Sequence, residues 1–361
     1  MSQEQGLLRE AALRIFRDHA PGGLAWPSEL WRSLQQAGFD RALSGETGGG
    51  AALQWADAFS LLFVAGAHAA AVPLAEAMIG HWLLEQAGLP DQGLISIAPR
   101  LQPHAAQLTA RPDGYRISGT LARVPWGRAC AQVVTVFDGP AGPLIVLIDC
   151  QAAGVSIVQG SNLAGEPRDT LVLSDVAAHA VAPSPVDVAG LLEIVAVARS
   201  AQMAGAIERI LSLAVDYAKL REQFGRPIGK FQAVAQNIAV LATQAVAARA
   251  ATDAGAEAID DWFGGANEPL CRIIACASAK IRAGEAAGHA CAITHQVFGA
   301  IGFTQEHELH HYTKRLWSWR EECGNEAYWA KLLGECVLAS PVNVWRTIAN
   351  STAHADQKGR A

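Results

Sequence analysis

Charge, basic clusters and long apolar runs are all scarce in this chain of 361 residues. Only 17% of the residues are charged, and the 28 basic residues are scattered among 34 acidic ones. Because no basic cluster is present, we do not expect a nucleic-acid partner. Gly, His, Arg or Gln interrupts the apolar runs well short of the ~18 residues of a membrane span, so no membrane segment is predicted.

Hydrophobic residues, by contrast, make up 51% of the chain. So much apolar character with so little charge predicts that partner subunits cover part of the surface. The seven cysteines are odd in number and form no CxxC pair, which indicates reduced thiols. The N-terminus carries acidic residues and no signal-type apolar block, so we expect a cytoplasmic protein.

The patterning divides the chain into three regions and a tail. Residues 1–92 show apolar positions at helical spacing, whereas residues 93–185 contain short alternating and β-branched runs separated by Gly, Pro and Asp. Residues 186–345 return to long apolar helical patterns, and residues 346–361 are polar. The predicted fold is therefore α+β, with an N-terminal helical domain, a middle antiparallel β-barrel and a C-terminal four-helix bundle. The bundle helices are expected at 188–220, 231–260, 269–298 and 323–340.

One segment between two of these helices is unusual. Tyr217–Gln236 reads YAKLREQFGRPIGKFQAVAQ and combines charged and aromatic residues with Gly and Pro. A solvated corner between helices explains such a pattern as well as a functional loop does. The residue types alone leave both interpretations open.

The same segment resembles a motif of the acyl-CoA dehydrogenase family, RxQFGxPIxxFQxxQxxLA, over LREQFGRPIGKFQAVAQNIA. A second segment, His295–Arg315 (HQVFGAIGFTQEHELHHYTKR), is similar to the family's QxxGGxGyxxexpxxrxxRD. A weaker similarity covers the GETGGG loop and YRISGTLARVPW. The resemblance extends over nearly the whole chain and implies the same order of three domains, a tetrameric assembly, and FAD bound across a subunit interface.

The resemblance also implies cofactor-binding residues. Arg221 would contact the FAD pyrophosphate, with Gln223 and Phe224 beside it. Gln296 and Gly299 from a second subunit would approach the adenosine end. The residue types suit these roles, because a guanidinium offers forked donors to phosphate oxygens, an amide both donates and accepts, and glycine lets backbone come close to a ligand.

In this family a glutamate removes the α-proton of an acyl-CoA while FAD takes the β-hydride, which gives a 2-enoyl-CoA. That glutamate directly precedes a glycine, whereas here Cys323 precedes Gly324. Glu322 is one position earlier and Glu321 is two. A shift of one residue turns a helical side chain by ~100°. We therefore expect Glu322 to be the catalytic base, provided that the local backbone differs from the family's.

Other departures concern the same face of the molecule. Family members that carry the base on the helix before the QFG loop would place it near Val195, where Glu193 and Glu208 are poor substitutes. The family's W-I-T beside the flavin is replaced by Val124–Trp126. The T-E-P-x-A-G-S-D loop, which lines substrate and flavin in the family, is missing.

Two functional hypotheses remain open. In the first, the chain is an FAD-dependent acyl-CoA dehydrogenase of lipid or steroid degradation that passes electrons to an electron-transfer flavoprotein. In the alternative, it is a non-catalytic subunit that completes the FAD site of a catalytic partner. The expected assembly is a homotetramer, or a heterotetramer with a second acyl-CoA dehydrogenase subunit.

Two further sequence patterns do not predict a binding site. His307, His310 and His311 have the spacing of ligands on one helical face, but no Cys or carboxylate pattern completes a zinc site, so no metal is expected. The glycines of Leu43–Gly50 do not make a GxGxxG after a strand, so no dinucleotide fold of that kind is predicted.

Overall fold

The N-terminal region is helical in its described part. The computed structural model describes residues 3–19, 26–102, 105–265 and 269–339, and the predicted tail at 346–361 lies outside them. On the second helix, Leu30, Trp31 and Leu34 share one buried face. The third and fourth helices are buried nearly all round and form the centre of the region. The helices are α1 Gln3–Arg17, α2 Ser28–Gln36, α3 Trp55–Ala67 and α4 Leu74–Gln86.

The middle of the chain forms two four-stranded sheets in its described part. In spatial order, the first sheet contains β1 Ile95–Ile97, β4 Gln132–Gly139, β5 Gly142–Asp149 and β8 Ala180–Pro183. In spatial order, the second sheet contains β2 Ala106–Arg111, β3 Gly114–Pro125, β7 Arg168–Ala177 and β6 Val155–Val158. β1 runs parallel to β4, and the other described pairs are antiparallel.

The two sheets pack face to face. Val133 and Phe137 of the first sheet share one buried apolar cluster with Ile117 and Leu171 of the second. The antiparallel β domain is thus confirmed, but it is two separate sheets rather than one closed barrel. The first sheet ends at β1 and β8, which have no strand partner on their outer sides among the described residues, so hydrogen bonding does not close around the domain.

Three long helices dominate the C-terminal region, and the predicted helical bundle is confirmed. Asp187 begins the first of them by accepting a hydrogen bond from the Gly190 N–H at 2.7 Å. The described helices are α5 Val188–Leu220, α6 Gln232–Phe263, α7 Pro269–Phe298, α8 Leu309–Glu321 and α9 Glu326–Ala339. The prediction missed α8, because its sequence LHHYTKRLWSWRE is too charged to show a continuous apolar stripe.

Helix α5 is the central helix of the molecule. By length and composition it could cross a bilayer, but its most apolar window is 100% buried inside the protein, as in the core helix of a globular domain. The apolar residues of α5 between Leu191 and Ala201 belong to an apolar cluster that also contains residues of α3, α4, β1 and β4. One continuous core therefore joins the helical region, the first sheet and the bundle.

Candidate active site and cofactor end

A cavity of about 210 Å³ lies where the three domains meet. Its walls come from α4, the chain after β1, β3, α5 and the segment that follows α8. Three carboxylate side chains line it, namely Glu76, Glu321 and Glu322. The residue predicted as catalytic base therefore lies at a cavity, and Cys323 lies beside it in the same wall.

The Glu322 carboxylate is fully engaged by other side chains. Arg168 Nε donates to Oε1 at 2.8 Å, and Arg168 Nη2 donates to Oε2 at 3.1 Å. Arg199 Nη2 lies 3.1 Å from Oε2, and the Asn162 amide donates to Oε1 at 3.1 Å. With 7% exposure, Glu322 exchanges none of these partners readily for water.

These partners decide the charge of Glu322. Burial by itself would raise the pKa of this carboxyl, but the positive charges of Arg168 and Arg199 and the hydrogen bonds from Arg168 and Asn162 outweigh it. The pKa is lowered to about 2. A general base works best when its pKa lies near the operating pH. Glu322 is therefore held as an anion that accepts a proton poorly.

The neighbours of Glu322 extend the same pattern across all three domains. Arg199 on α5 donates to Glu76 on α4 at 2.6 Å. Arg168 on β7 and Arg315 on α8 both donate to Glu166, at 3.1 and 2.8 Å. All of these side chains are buried. We call them the ionic cluster, which consists of Glu76, Glu166, Arg168, Arg199, Arg315 and Glu322.

A buried lysine fixes the backbone next to Glu322. Lys280 on α7 is 0% exposed and donates to the carbonyl oxygens of Arg320 and Gly324 at 2.7 and 2.8 Å. Burial lowers the pKa of this amine to about 8, and the negative charge of Glu326 opposes part of that shift. Cys323 has φ of +58°, which a non-glycine residue rarely adopts. Lys280 therefore holds the segment that aims Glu322 at Arg168.

The other carboxylates considered from the sequence are placed differently. Val195 does line the cavity, so the alternative base position carries no carboxylate. Glu193 accepts from Arg272 Nε at 2.7 Å, and Glu208 is exposed and 3.9 Å from Arg9. Glu321 lines the cavity, is exposed, and accepts from the Asn325 amide at 3.1 Å.

The strand that replaces the family's W-I-T offers few donors to the cavity. Pro125 lines the cavity and has no N–H. Its carbonyl oxygen accepts from the Ser96 hydroxyl at 2.6 Å. The backbone N–H of Trp126 donates to the Pro167 carbonyl at 3.1 Å. The Pro125 carbonyl and the Trp126 N–H are therefore already hydrogen-bonded to other parts of the protein.

The predicted pyrophosphate residues lie at the C-terminal end of α5. Glu222–Gln223 and Arg226–Pro227 form a two-stranded ribbon, β9 and β10, with the turn between them. Arg221, Gln223 and Phe224 are exposed, and Phe224 is 93% exposed at φ of +53°. An exposed aromatic side chain on strained backbone indicates a contact with another molecule.

The second predicted motif lies at the same end of the bundle. Gln296 and Gly299 are exposed, and the Tyr217 and Phe298 rings pack with centroids 4.5 Å apart, which joins the ends of α5 and α7. Gly299 has φ of +60° and open space where a Cβ would project. At Gly302 a Cβ would lie 2.9 Å from Phe298 Cβ, so that glycine serves packing. We call Arg221, Gln223, Phe224, Gln296 and Gly299 the motif end.

The motif end fits an anionic cofactor by its own geometry. Within the described residues no carboxylate forms an ion pair with Arg221, whereas Arg226 lies over the Phe231 ring at 4.3 Å. At 1.5 Å per residue along α5, Arg221 lies about 33 Å from Arg199 at the cavity. That separation exceeds the reach from a flavin ring to its own pyrophosphate. An FAD whose pyrophosphate lay at Arg221 would therefore not place its flavin ring in this chain's cavity.

Metal ligation finds no support among the described residues, where no group of three His, Cys, Asp or Glu could hold an ion. His310 and His311 stack with centroids 4.0 Å apart, and His307 packs on Phe298. These histidines serve the packing around α8.

Sequence reasoning missed most of the charged residues of the cavity and of the ionic cluster beside it. Arg168 and Glu166 lie in the run GEPRDT after a turn, and Arg199 interrupts the apolar pattern of α5. An arginine inside an otherwise apolar helix is a signal of a buried ion pair. The partner could not be inferred, because Arg168 and Glu322 are 154 residues apart.

Comparison with known proteins agrees with this geometry. Residues 188–335 match the acyl-CoA dehydrogenase C-terminal domain family. The acyl-CoA dehydrogenase IpdE2 of Mycobacterium tuberculosis is 29% identical over 325 residues, covering 87% of this chain and 91% of the relative. FadE27, an acyl-CoA dehydrogenase of the same organism, is 28% identical and covers 79% and 81%.

Solved structures show the same fold over nearly the full length. A variant of the Tcur3481-Tcur3483 steroid ACAD has a TM-score of 0.82 and 26% identity, covering 93% of this chain and 98% of that one. The ChsE4-ChsE5 complex from Mycobacterium tuberculosis has a TM-score of 0.83 at 23% identity, covering 95% and 99%. Residues 188–335 therefore belong to the acyl-CoA dehydrogenase C-terminal domain family, and the chain is similar to acyl-CoA dehydrogenases over nearly its full length.

Proposed function

We propose that this chain is a subunit of an FAD-dependent dehydrogenase that converts an acyl-CoA thioester into the 2-enoyl-CoA and passes electrons to an electron-transfer flavoprotein. The observation that carries the proposal is a cavity at the three-domain junction together with Arg221 about 33 Å away along α5, which is exposed and forms no ion pair with any described residue. Such a chain completes a cofactor site on a neighbouring subunit. The site is therefore expected to form only in the tetramer.

The motif end would hold the cofactor in this arrangement. Arg221 would donate to the pyrophosphate oxygens, Gln296 would meet the adenosine part, and Gly299 would leave room for it. FAD supplies the hydride acceptor when it is bound. The exposed Phe224 would be covered by the neighbouring subunit, which removes its apolar surface from water.

A specific observation favours a second candidate, in which this chain completes a partner's FAD site but does not itself abstract a proton. Glu322 is saturated by two arginines, and its pKa of about 2 makes it a weak base. The names of two similar structures, Tcur3481-Tcur3483 and ChsE4-ChsE5, each denote a pair of chains. We infer a heterotetramer in which a second acyl-CoA dehydrogenase subunit carries the base.

Purification with and without a second acyl-CoA dehydrogenase subunit tests the two candidates. If this chain is a complete enzyme, the preparation of the chain alone is yellow and bleaches when an acyl-CoA is added. If it is a partner subunit, the chain alone is colourless and a flavin absorbance band appears on co-expression. A chain that remains colourless and fails to co-purify with such a subunit would contradict both candidates.

Proton exchange at the thioester α-carbon identifies the base. Glu322→Gln cannot accept a proton, so exchange in an active preparation is lost if Glu322 is the base. Glu321→Gln is the matched control, because Glu321 lines the same cavity but has no arginine partner in the described structure. Exchange that survives Glu322→Gln excludes that residue and supports a base on the partner chain.

A further inference from the structure

Arg100 is a buried cation that has no carboxylate partner among the described residues. It lies in the cavity wall just after β1, where the family's substrate loop is missing, and it is 9% exposed. Its guanidinium donates to the carbonyls of Val136 and Ala106 at 3.3 and 2.8 Å and lies 3.9 Å from the Phe137 ring centroid. Among the described residues no Asp or Glu oxygen comes within 4 Å of it. Its Nε donor has no acceptor.

This arrangement is costly for the protein by itself. A buried charge is normally paired, and an unsatisfied buried N–H loses its hydration without compensation. Burial lowers the pKa of Arg100, and Asp138 opposes that effect only from a distance. A guanidinium remains charged in proteins, so it cannot escape the cost by losing a proton. An anion in the cavity would remove it.

A second unsatisfied donor points to the same ligand. Arg199 lines the cavity, and its Nε also has no acceptor among the described residues. The charge of Arg199 is already balanced by Glu76 and Glu322. Its free Nε therefore suits a neutral acceptor, such as a carbonyl oxygen, rather than a second anion.

The remaining charges in the wall reinforce the need for an anion. Glu76 and Glu322 are both taken by Arg199, so neither is available to Arg100. Arg123, on β3, also lines the cavity and is exposed, with φ of +57°. Glu321, the third carboxylate of the wall, is exposed, and among the described residues it forms no ion pair with Arg100 or Arg123. The buried Arg100 therefore has no counter-charge beside it.

We propose that the cavity binds an acyl group that carries a free carboxylate, held by Arg100, together with a carbonyl oxygen that accepts from Arg199 Nε. The thioester part of this ligand rests on the proposed function, whereas the carboxylate part rests on the orphaned donors alone. A dicarboxylic acyl-CoA satisfies both positions. A simple fatty acyl-CoA would leave Arg100 without an anion.

Binding of two matched thioesters tests the proposal. Glutaryl-CoA and pentanoyl-CoA have acyl groups of equal carbon number and differ at the terminal group, which is a carboxylate only in the first. We expect glutaryl-CoA to bind about 10- to 100-fold more tightly to the purified assembly, the effect of a hydrogen bond to a charged group. Isothermal titration calorimetry at fixed ionic strength measures both.

Substitutions at Arg100 locate the effect. Arg100→Met removes the guanidinium but keeps an unbranched apolar side chain, and it should abolish the preference for glutaryl-CoA. Arg100→Lys keeps the charge and should retain part of it, and it serves as the second variant if Arg100→Met does not fold. Arg116→Met is the matched control, because Arg116 is an arginine of the same β domain that pairs with Asp113 away from the cavity.

The outcomes separate this inference from the proposed function. Equal affinity for the two thioesters overturns the carboxylate site and leaves the acyl-CoA function intact. If neither thioester binds but free glutarate does, with loss in Arg100→Met, the carboxylate site stands and the acyl-CoA function fails. If glutarate and both thioesters fail to bind, both proposals are overturned. A preference that persists in Arg100→Met assigns the carboxylate to another residue and also overturns the proposal.

Discussion

The ionic cluster and the motif end hold their arginines in opposite ways. In the ionic cluster each arginine is buried and bonded to carboxylates of the same chain. At the motif end, Arg221 is exposed and has no ion pair among the described residues. An arginine that already has its carboxylates gives structure, whereas one that lacks them is available to a ligand. The comparison separates the part of the chain that we propose to bind a cofactor from the part that joins three domains.

The largest expected effect comes from breaking the ionic cluster. Arg168→Met leaves Glu322 and Glu166 buried without their shared cation and should lower the free energy of unfolding by about 3–5 kcal/mol. Urea denaturation at pH 7 measures it. Arg116→Met, which removes an exposed pair, should change little. Adding Glu322→Gln to Arg168→Met should recover part of the loss, because the stranded charge is then gone. An unchanged midpoint in Arg168→Met would contradict the structural role.

The dependence of stability on acidic pH tests the same region, because it follows the protonation of Glu322. Its pKa is lowered in the folded protein to about 2, so its stabilising contribution is present above the unfolded pKa near 4.5 and is lost as the pH falls towards 2. At about 1.4 kcal/mol per pKa unit the contribution is on the order of 3 kcal/mol. Unfolding free energies between pH 5 and 2 should fall less steeply in Glu322→Gln. Parallel curves for the two proteins would show that Glu322 is not ion-paired.

The substitution Arg221→Ala tests the motif end. Loss of a charge-assisted contact to a pyrophosphate should reduce FAD affinity of the assembly about 10- to 100-fold, while the unfolding of the isolated chain stays unchanged. Flavin fluorescence titration measures the first, and urea denaturation the second. Arg226→Ala in the same ribbon is the control, since that cation is already placed over Phe231. Full FAD retention in Arg221→Ala would remove the assignment.

The smallest effect on folding is expected at Phe224. Its ring is 93% exposed, so Phe224→Asn should leave the unfolding free energy of the isolated chain within about 0.5 kcal/mol. Asn also tolerates the positive φ found there. Association into the tetramer should weaken, as sedimentation over a concentration series would show. A variant that assembles normally would mean that this ring contacts no other subunit.

Sequence reasoning reached the fold and the motif end more easily than the cavity. The α5 and α7 bounds follow from apolar periodicity, and Arg221, Gln296 and Gly299 lie in motifs that are continuous in sequence. The ionic cluster is different, because its partners come from distant segments. The apolar run on both sides of Arg199 indicates that this residue is buried, but nothing local indicates that Glu76 and Glu322 meet it there. The contacts from Arg168 and Arg199 that keep Glu322 ionised could therefore not be predicted from the sequence pattern.

The ionic cluster also has a kinetic consequence. Its contacts join residues 123, 149 and 154 positions apart, which is the kind of contact that closes late in folding. Interactions absent from the folding transition state affect mainly the unfolding rate. Removing the Arg168 side chain should then raise the unfolding rate and leave the refolding rate unchanged. A cluster that stabilises the native state in this way slows unfolding, and so it sets how long the three domains stay packed together after folding.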